Sequence, residues 1–326
     1  MFDLNLGGNN SVFGLDIGYE TLKLVQLNRK KDSASLVGFV EIPLTERILE
    51  RDQFKNKTQT ATLIKEACRK AQPRPIGAKK IVSALPETFV FSKTIQMPKM
   101  KENEYRTAVP AEAAQYLPIP VENVYLDYQV LIIHPDEALV DILLVATPKK
   151  LVDDYVEMTK MADLELVALE TKPIAVGRAI QFSSHLSGTV IVEIGTELSR
   201  ISIWDNNNIR LIATVNIGKN QILEAIDQNS TSKLVSENLS ARSLVSGIIE
   251  EVINAIKYHQ NRDYKPKPIN NILLCGSGAK IEGIEDIFYQ ETKIKCQPVV
   301  PKLTGKVFLG TEFITSFGLA LRQDKE

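Results

Sequence analysis

The sequence predicts a duplicated α/β protein of two lobes, the first interrupted by a small α+β subdomain. The chain has 326 residues and a mass of 36.3 kDa, more than one small core accommodates and enough for about two domains. A segment near the start recurs a little over half the chain later. The stretches after the two copies also agree, as alternating helices and strands that suggest layers around a mixed sheet.

The repeat is LDIGYETLKLVQL from Leu15 and VEIGTELSRISIW from Val192. Without gaps it matches Asp16 to Glu193, Ile17 to Ile194, Gly18 to Gly195, Glu20 to Glu197 and Lys23 to Arg200, an offset of 177 (193 − 16). Each copy reads as three strands in a meander, with SLVGFVEIP (35–43) paired to RLIATVNIG (210–218) and polar turns at KKDS (30–33) and DNNN (205–208). The first copy is followed by a helix near 57–71 and a strand at 81–85. The second is followed by a helix near 219–227, a long helix near 232–262 and a strand at 271–275. Inside the first half lie β-like runs at 79–85, 88–96, 124–133 and 139–146 and a helix near 101–116, in which Pro110 predicts a kink or a split. A helix at 148–162, a strand at 164–170 and a helix from Thr171 to Phe182 return the chain to the first lobe.

The expected boundaries are an N-terminal tail (1–11), the first part of lobe one (12–76), the insertion (77–147), the second part of lobe one (148–187), lobe two (188–310) and a C-terminal helix returning to lobe one (311–326). Hydrophobic residues at 44% and charged residues at 24% exclude global disorder. Lys plus Arg number 39 against 40 Asp plus Glu, which gives no global reason to expect nucleic acid. Three cysteines without metal spacing suit a reducing cytoplasm, and three histidines make a histidine-rich metal site an unsuitable reading. Apolar runs such as DILLVA (141–146) fall far short of the ~20 residues of a membrane span, and MFDLNLGGNN has neither a basic region nor a long apolar run. A cytoplasmic protein is expected, attached to a membrane only through a partner.

Each copy ends its first strand with an acid followed two positions later by a glycine, Asp16–Gly18 and Glu193–Gly195. Glycine lets backbone amides approach a ligand, and successive amides form a concavity for phosphate. The acid can hold Mg²⁺ or its waters, and Lys23 can supply compensating charge. CGSGAKIEG adds a glycine turn, Gly276–Ser277–Gly278, expected to enter a helix carrying Lys280, Ile281 and Ile284; Gly283 comes too late for the dinucleotide fingerprint. Ser183 and Ser184 beside His185 lack a placed acid, and Asp153 and Asp154 read as a solvated helix face.

These motifs, with the terminal FGLALR (317–322), resemble the actin-like ATPase superfamily, whose fold is ribonuclease-H-like and duplicated. More narrowly, FGLDIGYETLKLVQL (13–27), IVSALPETFVFSKTIQMPKM (81–100), AAQYLPIPVENVYLDYQVL (113–131) and TKPIAVGRAI (171–180) resemble the PilM family of type IV pilus assembly proteins, related to FtsA. The resemblance covers nearly all of residues 12–322. It implies ATP and Mg²⁺ between two lobes and docking of the N-terminal peptide of the inner-membrane protein PilN. Carried onto this chain, Asp16, Gly18, Tyr19, Thr21 and Lys23 form the first phosphate loop, and Glu193, Gly195 and Thr196 the second. Gly276, Ser277, Gly278 and Lys280 lie near the adenosine, with Asp16 and Glu193 toward Mg²⁺, directly or through water. Tyr116, Tyr125 and Tyr128 are the partner-binding candidates, at the border of the insertion.

Three departures bear on activity. Glu193 stands where the superfamily usually has aspartate, and one methylene shifts a carboxylate by ~1.5 Å, enough to spoil catalytic positioning. Where a water-orienting acid or glutamine is common, the run is Glu170–Thr171–Lys172–Pro173, so Glu170 is the one catalytic candidate. DQNSTSKLVSEN replaces the acidic-then-lysine helix that usually faces the nucleoside. The expected protein is therefore a nucleotide-binding scaffold with slow or absent ATPase activity, peripheral at the inner face of the cytoplasmic membrane, with self-association left open. The alternatives are a small-molecule kinase of the same fold, for which no base is evident, and an FtsA-like division protein, whose usual terminal amphipathic helix FGLALRQDKE does not supply.

Overall fold

The computed structural model describes residues 2–3, 11–50, 53–134, 138–229, 234–261 and 266–322. The chain divides into two compact units, one of residues 1–175 with 319–326 and the other of residues 176–318.

The first unit runs through β1 (Val12–Ile17), β2 (Thr21–Lys30), β3 (Ser33–Pro43), α1 (Lys57–Lys70), β4 (Lys80–Ala84), β5 (Phe91–Pro98), α2 (Glu102–Ala113), β6 (Val124–His134), β7 (Leu139–Pro148), α3 (Lys149–Met161) and β8 (Glu165–Glu170), and leaves along α4 (Lys172–Gln181). The five inner strands of its seven-stranded main sheet have the order β8-β4-β1-β2-β3, with β1, β2 and β3 antiparallel and β4 and β8 parallel to β1, and two-residue strands lie at the edges, Phe2–Asp3 on β8 and Gln72–Pro73 on β3. Every residue of β1 is buried, as befits a central strand covered on both faces. Helix α1 buries Thr60, Ala61, Ile64 and Ala67, a helical-period stripe, and Asn56 caps it by accepting the Gln59 amide at 2.9 Å. Phe2–Asp3, expected in a tail, instead pairs antiparallel with Leu169 and Ala168 of β8, because that edge offers unpaired backbone groups; residues 4–10 lie outside the described residues.

The insertion is a three-stranded antiparallel sheet in the order β6-β7-β5, covered by α2 around Ile95, Met97, Tyr105, Val109, Ile142 and Leu144. It begins later than residue 77, because β4 belongs to the main sheet. Pro110 neither splits nor ends α2, which continues to Ala113. The proline forgoes its own bond back to the Arg106 carbonyl, but its carbonyl still accepts from the Ala114 amide at 3.1 Å, so the last turn closes behind it.

The second unit contains β9 (Thr189–Ile194), β10 (Ser199–Asp205), β11 (Asn208–Val215), α5 (Lys219–Asn229), α6 (Leu239–Gln260), β12 (Asn271–Cys275), α7 (Ile284–Thr292) and β13 (Lys295–Pro298), and α8 (Ile314–Ala320) leads out of it. Its sheet order, β11-β10-β9-β12-β13, repeats that of the first unit's inner strands, again with an antiparallel meander and two strands parallel to its first. Asn206 and Asn207 carry positive φ at the β10–β11 turn, which asparagine tolerates. Helix α6 starts at Leu239, later than the expected 232, where the Asn238 side chain accepts the Ala241 amide at 2.9 Å; residues 230–233 lie outside the described residues. Its buried positions, from Ala241 through Val245, Ile248 and Val252 to Ile256, form the stripe that packs on the sheet.

Residues 176–187 belong to the second unit rather than the first, as do 311–318. Their contacts give the reason: Gln181 donates to the Asn207 carbonyl at 2.8 Å, the Leu186 amide donates to the Asn207 side chain at 2.8 Å, and Phe182 meets Phe317 edge-on. A Cβ on Gly177 would fall 2.1 Å from the buried Trp204 ring. Gly177→Val should destabilise the protein by about 1–3 kcal/mol or more through overpacking. Gly77→Ala, at an exposed site with nothing near its Cβ, should stay within about 0.5 kcal/mol of the parent. Urea unfolding of the two variants checks the difference.

Candidate functional site

The two turns have the same backbone construction. The Gly18 amide donates to the Thr21 carbonyl at 2.8 Å, and the Gly195 amide donates to the Leu198 carbonyl at 3.0 Å. Asp16 lies opposite Lys23, and Glu193 opposite Arg200. The gapless repeat therefore holds at all four positions, since 18 and 195, 21 and 198, 16 and 193, and 23 and 200 share the offset of 177. It drifts only in the third strand. Lys23 faces Glu41 and Arg200 faces Thr214, so the offset there is 173 (214 − 41), not the 175 of the sequence pairing. The cause is unequal hairpins, ten residues in β2 against seven in β10; an even shift keeps each residue on its face.

The residue that the third strand places in this row decides which charges meet. In the first unit Glu41 takes Lys23, at 3.2 Å, and the Lys23 ammonium also donates to the Thr21 hydroxyl. Asp16 is instead held by Lys172 at the start of α4, Nζ to Oδ1 2.7 Å, with both side chains 8% exposed. In the second unit Thr214 carries no charge, and Arg200 lies 3.1 Å from Glu193, which also accepts from the Thr315 hydroxyl at 3.2 Å. Both strand-end acids are buried and each has a protein cation beside it. Tyr19 lies under the Arg47 guanidinium and its hydroxyl donates to Thr88 at 3.4 Å. Beside Thr196, the Asn220 amide donates to the Thr196 carbonyl at 3.0 Å, which fixes the first turn of α5 on this loop.

Magnesium held directly by Asp16 and Glu193 does not fit this arrangement. Lys172 lies 2.7 Å from Asp16 and Arg200 3.1 Å from Glu193, each a protein cation that competes with a metal for its carboxylate, and among the described residues no three His, Cys, Asp or Glu side chains cluster to hold a metal. Glu170 does not fit the role of a base. Its side chain is fully buried and Arg322, from the FGLALR motif, donates to it.

The Gly276–Gly278 turn does not open a helix. Ser277–Lys280 is a single 3₁₀ turn and α7 begins only at Ile284, after Gly283. Gly276 has φ +82°, and a Cβ there would lie 2.4 Å from the Ile194 carbonyl oxygen; one on Gly278 would strike the Ile194 side chain at 2.2 Å. These glycines let the turn pass against the end of β9. Lys280 pairs with Glu312 at 2.7 Å.

The three tyrosines do not line one surface. Tyr116 and Tyr128 pack on the insertion core, whereas Tyr125 packs on the main core, because positions three apart on β6 point to opposite faces. Tyr116 donates to Glu112 at 3.0 Å with Lys93 over its ring, and Tyr125 donates to Asp153 at 3.2 Å; each carboxylate raises the phenol pKa. Asp154 is not on a solvated face: burial works against its charge, but Lys57 and Lys150, at 3.0 and 3.1 Å, outweigh it and lower its pKa. Ser183 and Ser184 donate to the Ile180 carbonyl at the end of α4, and His185 pairs with Asn207.

The duplicated sheet and helix arrangement is that of the actin-like ATPases. The structure is similar to that of a PilM–PilN type IV pilus biogenesis complex, at 23% identity, covering 95% of this chain and 97% of that one, with a TM-score of 0.80. It is also similar to the ethanolamine utilization protein EutJ from Carboxydothermus hydrogenoformans, at 14% identity, 98% and 92% coverage and a TM-score of 0.57. The family described as type IV pilus assembly protein PilM matches residues 14–234, more than half of the chain, and the chain belongs to that family.

Burial raises the thiol pKa of Cys68 to about 11 and of Cys296 to about 12, and pushes that of Cys275 well above its usual value. At pH 8 the thiolate fraction is then lower than in an unperturbed cysteine, and Ellman's reagent should react with the native protein on the order of a hundredfold more slowly than after unfolding in urea.

Proposed function

We propose that the protein is a nucleotide-binding scaffold of type IV pilus assembly, or of a related secretion or DNA-uptake machine, working at the inner face of the cytoplasmic membrane. The observation that carries this reading is the family match over residues 14–234, which includes the whole insertion as well as both acid–glycine turns. Among the described residues no helix is long and apolar enough to cross a membrane. The similarity to the PilM–PilN complex supports a PilN-like inner-membrane protein as the partner, docking through its N-terminal peptide. ATP is the proposed ligand, and hydrolysis is slow or absent. Lys172 bears no carboxylate and Glu170 is committed to Arg322, so neither activates water.

Two measurements test this reading. Phosphate release from ATP should stay far below the ~10 s⁻¹ typical of enzymes, and a turnover near that value would overturn the scaffold reading. For the partner, the N-terminal peptide of the neighbouring PilN-like protein should bind the purified chain. Tyr116 is half-buried on the insertion core and Ile119 beside it is exposed. Tyr116→Ala should weaken the peptide about tenfold or more, as loss of an interface aromatic does, while Tyr125→Phe should leave it unchanged. An affinity indifferent to Tyr116 places the docking surface elsewhere.

A further inference from the structure

We propose that Lys172 is the resident cation of the first turn. Its ammonium fills the place beside Asp16 that a divalent metal would need, and it is the positive charge that a nucleotide phosphate would meet there. The phosphate contact rests on the proposed nucleotide function; the exclusion of a metal does not.

Several independent features support this assignment. Lys172 and Asp16 are each more than nine-tenths buried and 2.7 Å apart. Lys172 is the first residue of α4, where the helix dipole is positive and a cation is disfavoured. Burial of an ammonium adds a further cost. A lysine in that position needs a compensating anion, and Asp16 supplies it. Lys23, the cation in register with Asp16, is not the one that holds it, because Glu41 and Thr21 engage it. In the second copy the in-register Arg200 stands beside Glu193. The two copies thus reach the same result by different residues: one buried acid, one protein cation.

The test uses the full chain and Mn²⁺ as a spectroscopic stand-in for Mg²⁺. Wild type should leave the electron paramagnetic resonance signal of free Mn²⁺ undiminished, and its melting temperature should not respond to the ion. Lys172→Glu sets a second carboxylate beside Asp16; the like charges repel and favour a shared cation. That variant should melt lower than wild type and recover part of the loss on addition of Mn²⁺. One Mn²⁺ bound per wild-type chain and lost in Asp16→Asn would overturn the assignment, and this result does not require Lys172→Glu to fold. In a second arm, ATP is titrated in EDTA and in Mg²⁺. Affinities within about threefold of each other, with Lys172→Gln weakening the EDTA value about tenfold, support the phosphate contact. Binding that appears only with Mg²⁺ overturns it. No binding in either buffer removes the nucleotide function and the phosphate contact together, while the Mn²⁺ arm still decides whether Lys172 excludes the metal.

Discussion

A carboxylate at the end of a fully buried central strand has to be neutralised, and in this protein that requirement arises twice. Asp16 is the last but one residue of β1 and Glu193 the last but one of β9, each inside its own sheet. An unpaired buried charge is costly enough that removing one partner of such a pair typically loses ~3–5 kcal/mol. The row of residues across the sheet determines which cation answers. In the first unit the row reads Asp16, Lys23, Glu41, two acids competing for one lysine, and Asp16 is held from outside the row by Lys172. In the second it reads Glu193, Arg200, Thr214, and the row holds no second acid to draw the arginine away. One acid in the third strand thus ties the first residue of α4 to the end of β1.

The meander and its repeat are legible in the sequence because both depend on local pattern. The glycine, the acid and the basic residue recur at one offset through the first hairpin, and asparagines or polar clusters mark the turns. Legibility falls where a longer-range comparison is needed. Sequence similarity aligns the third strands two residues out because it cannot account for the longer β2, and the even shift leaves the hydrophobic alternation intact and the misalignment silent. The edge strand at Phe2–Asp3 has no pattern of its own, since two residues cannot show a period. The Gly276–Gly278 turn resembles the entrance to a helix because glycines serve tight packing as readily as ligands, and only the contact with Ile194 distinguishes the two.

The candidate site is legible as a set of residue types and less so as a set of partners. The acids and glycines fall where the repeat puts them, yet Lys23 is committed to Glu41, Lys280 to Glu312 and Glu170 to Arg322. The last of these joins residues 152 positions apart, beyond any local pattern. Tyr125 and Tyr128 are separable from sequence in principle, because three positions on a strand means opposite faces. Their proximity along the chain groups them, and the alternation of the strand divides them.

The junction of β8 and α4 brings these threads together. Glu170 and Lys172 are two residues apart and opposite in charge, yet they do not pair with one another. Glu170 points its charge to Arg322, while the neighbouring Leu321 carbonyl accepts from Arg29 of β2, so the end of the described chain is fastened to two strands of the first sheet. Lys172 points its charge the other way, to Asp16 on β1. A junction that supplied a water-activating group would need a carboxylate or amide exposed to its ligand. Here both charged side chains serve instead as clasps, one holding the C-terminal segment and the other the first strand. Exchanging either for a catalytic group would leave a buried partner uncompensated, so stability itself favours keeping this junction out of the chemistry.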